Sequence, residues 1–238
     1  MERIKNYMWF LQGIMAIIVI FGISLLYTPV ANLSLQLHTA VTLATPIDLM
    51  IPLVPSVIII YWYVFYSFIF FSYVYLSFVQ REFRNALILS YVLINVIAYA
   101  IYLAFPVQGP ERVVTGTDFF SMQIQLLYNT DVHVNCFPSL HGSTSLLAAY
   151  SLWKAKREYG YIAWPIAIAV MISTLFVRQH WIVDQVAATV ITLPIAYLVF
   201  DRLKYTRVGE VVIQPKPWQI IVCVVVSILV MILYIWSF

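Results

Sequence analysis

The segment Arg178-Gln179-His180-Trp181-Ile182-Val183-Asp184 lies between two long apolar runs. Ionisable groups in such surroundings are costly, pair with one another and mark function. His180 and Asp184 are four residues apart, so on a helix they share a face. A carboxylate at that spacing can hold an imidazole in one tautomer and free the other ring nitrogen for chemistry. The plainer alternative is a histidine satisfied by a neighbouring acid and doing nothing further. A second segment, Asn135-Cys136-Phe137-Pro138-Ser139-Leu140-His141-Gly142-Ser143, reads as a helix start, with Pro138 in the first turn. The N–H groups of Ser139, Leu140 and His141 would then point outward at the positive end of the helix dipole, a site suited to phosphate. Ser139, Leu140 and Gly142 are therefore phosphate-binding candidates, and Ser139 Oγ can add a hydrogen bond. A third segment, Gly109-Pro110-Glu111-Arg112, brings an arginine.

Together these residues describe phosphoryl transfer. Arg112, Arg178, Ser139 and the helix N-terminus would hold the non-bridging oxygens. A nucleophile must approach in line with the leaving oxygen. His180, oriented by Asp184, is the candidate nucleophile; His141 would protonate the leaving oxygen and then take a proton from water. No group of carboxylates resembles a two-metal site. Arginines would supply the charge neutralisation that metals supply elsewhere, so neither metal nor cofactor is expected. His38 and His133 read as loop histidines without a role, Glu111 as a solvated loop acid or a modulator of Arg112, and Asp48 as a solvated carboxylate more readily than an orienting group.

The elements that position these residues are membrane helices. Of 238 residues, 63% are hydrophobic and 10% charged, against roughly 25% charged in soluble domains. The expected fold is all-α: one polytopic helical bundle over residues 1–238 with no separate soluble domain. Seven spans are expected, near Met8–Tyr27, Val54–Val79, Ala86–Phe105, Ser139–Trp153, Tyr161–Val177, Ile182–Phe200 and Trp218–Trp236. The fourth is short and should begin inside a protein-lined pocket. Thr28 to Leu53 is expected along the interface. Asp118 can cap an amphipathic helix from Phe119 to Tyr128, whose Phe119, Phe120, Ile124 and Leu127 would dip into lipid as a lid or an anchor. With a cytoplasmic N-terminus, eleven of the thirteen lysines and arginines fall in cytoplasmic segments, leaving Arg112 and Arg178 outside. An anionic group is a reason for two arginines there. Cys136 and Cys223 then lie on opposite sides, so no intramolecular disulfide is expected. Nothing suggests nucleic-acid binding or an obligate protein partner; membrane lipids are the expected surroundings.

Pro138-Ser139-Leu140-His141, followed about forty residues later by His180-x-x-x-Asp184, resembles the type 2 phosphatidic acid phosphatase superfamily. The resemblance runs from about Asp48 to Ala196. It implies a six-helix core, here near residues 48–200 with an added seventh span, and a metal-independent phosphohistidine mechanism. Two motif positions depart. Phe105 stands where the family has lysine and Val113 where it has proline, although Arg112 matches. Ser173-Thr174 replaces Ser-Arg, and Arg178, one helical turn beyond Thr174, would reach the same phosphate. These departures resemble the branch of inositol phosphorylceramide synthase and sphingomyelin synthase. The expectation is a lipid phosphatase at the outer face of a bacterial plasma membrane, acting on phosphatidic acid, phosphatidylglycerol phosphate or a polyprenyl diphosphate. A headgroup transferase using a lipid alcohol, and a non-enzymatic anionic-lipid-binding protein, are the alternatives.

Overall fold

The structure, a computed structural model, describes residues 2–78, 81–203, 221 and 225. The expected span Trp218–Trp236 and Cys223 therefore lie outside the described residues, save Ile221 and Val225. The described chain is almost wholly helical. In order come α1 (Glu2–Ser24), α2 (Tyr27–Leu37), α3 (Phe65–Phe78), α4 (Arg81–Ala104), α5 (Phe119–Thr130), α6 (Leu140–Ala155), α7 (Arg157–Phe176) and α8 (Ile182–Tyr197). Two two-residue strands, β1 (Val41–Thr42) and β2 (Val107–Gln108), pair in parallel, and Val107 also bridges Asn135. Five helical stretches are long and apolar enough to cross a membrane. They expose large apolar side chains outward, among them Phe21, Val96, Ile168, Ile172 and Val190. That pattern suits lipid as the surrounding solvent.

α6 is the axis of the bundle. It packs against α3, α4, α7 and α8, and every side chain from Ser145 to Leu152 is buried. Gly142, Ser143, Ser145, Ala148, Ala149 and Ser151 keep its surface narrow, which lets neighbouring helix backbones approach closely. As expected for the short fourth run, α6 starts inside protein. α6, α7 and α8 alternate in direction, so the start of α6, the end of α7 and the start of α8 meet at one end. Lys154, Lys156, Arg157 and Arg202 lie at the other end, where Lys154 and Tyr150 both bond Asp201.

Three expectations need correcting. The stretch after Tyr27 is helical as far as Leu37: α2 follows α1 almost directly, and Phe10–Leu37 is long and apolar enough to cross a membrane despite Thr28, Asn32, Ser34 and Gln36. Ala31 and Ser34 bury against the bundle. The α5 helix forms where expected, with Asp118 Oδ1 accepting from Phe120 N at 3.0 Å and Ser121 N at 3.3 Å. Its Ile124 and Leu127, however, do not dip into lipid. They bury against Ile58, Tyr61, Trp62 and Val177, leaving Phe119 and Met122 exposed. The third is Pro138, which precedes the helix instead of occupying its first turn; Ser139 is the N-cap and α6 begins at Leu140.

Candidate active site

The α6 start is built by its cap. Ser139 Oγ accepts from Gly142 N at 3.1 Å, and Ser139 N donates to Asp184 O at 3.2 Å, tying α6 to α8. Tyr102 donates to Pro138 O at 2.6 Å and holds the approach from α4. These contacts put His141 in the first turn, with its ring against Tyr61, Phe65 and His180.

His180 and Asp184 do meet, but not by sharing a helix face. α8 begins only at Ile182, and His180 precedes the N-cap Trp181. Asp184 occupies the third helical position and folds back, so that Oδ2 accepts from Trp181 N at 2.7 Å and from His180 Nδ1 at 3.3 Å. His180 Nδ1 also lies 3.0 Å from Cys136 O. A carbonyl only accepts, so Nδ1 carries the proton and Nε2 carries the lone pair. His180 Nε2 lies 3.1 Å from His141 Nδ1, which must therefore donate. His141 Nε2 is then an acceptor, and Tyr61 Oη lies 2.9 Å from it. One direction of donation runs from Tyr61 through His141 and His180 to the Cys136 carbonyl and Asp184.

A cleft of about 500 Å³ opens beside His180, lined by Arg112, Arg178, His133, Asp48, Gln108 and Trp181 among others. Arg112 is mostly committed: its Nη2 reaches Asp131 Oδ2 at 2.5 Å and Gln179 Oε1 at 2.8 Å, and its guanidinium lies over Tyr128. Its buried Nε has no partner. Arg178 is half-exposed, and among the described residues its side chain donates to the Glu111 carbonyl, at 3.4 Å. It does not share a helical face with Thr174. α7 ends at Phe176, and Arg178 takes a left-handed backbone, φ 52°, that turns the chain out of the helix. Thr174 is instead fully buried and accepts from Gln185 Nε2 at 2.7 Å. Gln185 also donates to Ser139 Oγ at 3.0 Å. Its side chain crowds Gly142, where an added Cβ would meet Gln185 Oε1 at 2.3 Å.

The candidates thus fall into groups. His180, Arg112 and Arg178 face the cleft; His141 and Asp184 hold His180 from either side; Ser139 and Gly142 build the α6 start, and Leu140 packs into the core. Four contributors had no sequence signal: Tyr61, Gln179, Gln185 and the Cys136 carbonyl. Two others were misjudged. Asp48 is buried, and its Oδ1 accepts from Ile182 N at 2.8 Å, capping α8 from a distant loop. His133 lines the cleft; burial, then Arg112 and His180, lower its pKa from 6.5 to about 3, so it stays neutral.

Cys136, His180 and Asp184 place potential metal ligands within 4.8 Å of one another. Metal binding needs deprotonated ligands. Burial, followed by the Asp184 and Asp131 charges, pushes the Cys136 thiol well up, and the thiol faces the Gln179 carbonyl at 3.5 Å. Two groups of the trio, Asp184 Oδ2 and the Cys136 backbone carbonyl, already hold His180 Nδ1.

An uncharacterized protein of Methanocaldococcus jannaschii is 28% identical over 130 residues, covering 54% of this chain and 53% of its own. A PA-phosphatase related-family protein of Dictyostelium discoideum is 28% identical over 118 residues, covering 44% of this chain and 21% of its own. The match thus spans about half the length of the first relative and a fifth of the second. No solved structure matches. The family model for the PAP2 superfamily matches residues 31–198, which carry α3, α4, α6, α7, α8, both histidines and Asp184. With that match over most of its length, this integral membrane chain belongs to the PAP2 superfamily.

Proposed function

We propose that the chain is a membrane lipid phosphatase that hydrolyses a lipid phosphomonoester or diphosphate through a phosphohistidine. The observation that carries this reading is the direction of the hydrogen bonds: Nδ1 of His180 is pinned as a donor, so Nε2 presents its lone pair. In the first step Nε2 bonds to phosphorus while the bond to the leaving oxygen breaks and a proton passes from His141 to that oxygen. In the second, water attacks phosphorus, gives a proton to His141 and releases phosphate and His180. In-line geometry puts the phosphoryl group between the two rings, so the 3.1 Å contact between them opens when substrate enters. Arg178, and Arg112 once it shares Asp131, neutralise the non-bridging oxygens, while the N–H groups of Ser139 and Gly142 are engaged in building the α6 start. The substrates that fit are phosphatidic acid, phosphatidylglycerol phosphate or a polyprenyl diphosphate. The basic end of the bundle faces the cytoplasm and the site faces outward.

A second reading is headgroup transfer to a lipid alcohol. A neighbouring cleft of about 560 Å³, bordered by the α2 end, shares Gln108 and His133 with the first and offers an acceptor room. One assay separates the two: purified protein with lipid phosphates, read for free phosphate and for new lipid species. The mechanism is tested by labelling with substrate carrying labelled phosphate. His180→Ala should lose label and turnover. His141→Ala should still label from a substrate with a good leaving group, but hydrolyse the phosphoenzyme slowly. Asp184→Asn should cut the rate by roughly 10²–10⁴. Label retained in His180→Ala and lost in His141→Ala would reverse the roles. Activity should survive EDTA, and a magnesium requirement would refute the arginine-based site.

A further inference from the structure

We infer that Tyr61 is the positioning residue of His141, the partner that its sequence neighbourhood lacks. The inference rests on the phosphohistidine reading and adds a residue to it. His141 has no carboxylate on its ring: its Nδ1 faces His180 and its Nε2 faces the Tyr61 hydroxyl at 2.9 Å. Tyr61 is 2% exposed, and its ring lies 4.9 Å from the imidazole, so the hydroxyl is held in place by packing. The backbone is unusual at that point. Residues Ile59–Val64 form a π-helical turn ahead of α3, wider than an α turn, and both Tyr61 and Trp62 are buried within it. Such turns are rare and occur often at functional sites.

A hydroxyl fits this position for a chemical reason. In the resting protein His141 is neutral with its hydrogen on Nδ1, so Nε2 accepts from Tyr61. To act as an acid His141 must first take up a proton, from the phosphomonoester or from water, and become an imidazolium with hydrogens on both nitrogens. Nε2 then donates, and the hydroxyl oxygen accepts. When the Nδ1 proton passes to the leaving oxygen, the neutral ring keeps its hydrogen on Nε2, still bonded to Tyr61. When water later returns a proton to Nδ1, the imidazolium is restored. Tyr61 neither gains nor loses a proton in the cycle. It keeps the ring aimed so that Nδ1, and never Nε2, meets the leaving group and then the water. A carboxylate there would fix the resting hydrogen on Nε2 and leave Nδ1 unable to donate to His180, and an apolar residue would leave Nε2 without a partner.

The test compares phosphoenzyme formation from an alkyl phosphate and from p-nitrophenyl phosphate in wild type, Tyr61→Phe, His141→Ala and the double variant. An alkoxide needs its proton, whereas nitrophenolate leaves without one. Tyr61→Phe should slow labelling from the alkyl phosphate roughly 10–100-fold, up to the lower end of the roughly 10²–10⁴-fold that general acid catalysis supplies, and barely change it from p-nitrophenyl phosphate. The retained reaction also shows that the variant is folded. In the His141→Ala background, Tyr61→Phe should add nothing, because the two act as one unit. Equal losses with both substrates, no loss with either, or a full additional loss in the double variant would each overturn the role of Tyr61. If wild type forms no phosphoenzyme from either substrate, the phosphohistidine reading fails first and the inference with it.

Discussion

Cys136 contributes its carbonyl to the site and keeps its thiol out of it. The carbonyl fixes the His180 tautomer, while the thiol is buried and held protonated. Cys136→Ala should therefore leave kcat/KM within a few fold, whereas a metal ligand would cost 10–100-fold or more on removal. Steady-state assay of that variant decides between them. His133 gives the site a pH limit. Its folded pKa of about 3 lies below the ordinary 6.5, so the unfolded chain binds the extra proton first. Its contribution to stability is complete above pH 6.5 and is lost progressively as pH falls from 6.5 toward 3. Thermal unfolding in detergent should show an acid-side loss that is smaller in His133→Gln; identical acid profiles would remove His133 as its source.

The elements of the candidate site are joined by long-range bonds, and these explain what the sequence could and could not reveal. Asp48 caps α8 across 134 residues, and its other oxygen holds Thr45 N at 2.8 Å. Asp48→Ala would leave Ile182 N without its acceptor, at a cost of about 0.5–2 kcal/mol as for other lost caps. It should also loosen the start of α8, lowering kcat and the unfolding temperature together. Loss of activity with unchanged stability would instead make Asp48 a substrate contact. Local patterns were legible: Asp118 announced α5, and the 138–141 and 180–184 motifs announced the site. Tyr61 and His141 are 80 residues apart, and only the packing of α3 against α6 brings them together. The end of α7 was hidden for another reason. No glycine or proline marks it, and an arginine takes the left-handed position that glycine usually fills. The sequence reading therefore carries the helix two residues past Phe176 and places Arg178 on its face.

At the scale of the molecule, one end carries the site and the other carries the basic residues Lys154, Lys156, Arg157 and Arg202. The positive-inside bias is the ground for the proposal that the site end faces outward. Cys136 is too deeply buried to report sidedness, but Thr115 in the 109–118 loop is exposed. In a chain with both native cysteines replaced by alanine, Thr115→Cys should react with a membrane-impermeant maleimide in intact cells. Labelling only after permeabilisation would put the site inside and remove the reason given for Arg112 and Arg178. The uniformly buried α6 gives a frame around which lipid-facing helices can tolerate apolar exchange, because their outward side chains meet only acyl chains.

The 3.1 Å bond between His141 and His180 has a consequence for turnover. On the phosphohistidine reading proposed above, it occupies the space that inorganic phosphate would fill at the end of each cycle, so the empty protein would carry its own competitor for product. A neutral hydrogen bond is worth about 0.5–1.5 kcal/mol net, which weakens phosphate binding roughly two- to tenfold. On the lipid phosphatase reading proposed above, a substrate would recover that loss through its acyl chains, which free phosphate lacks. The contact would then favour expulsion of product over its retention, and would keep product inhibition weak where phosphate is abundant.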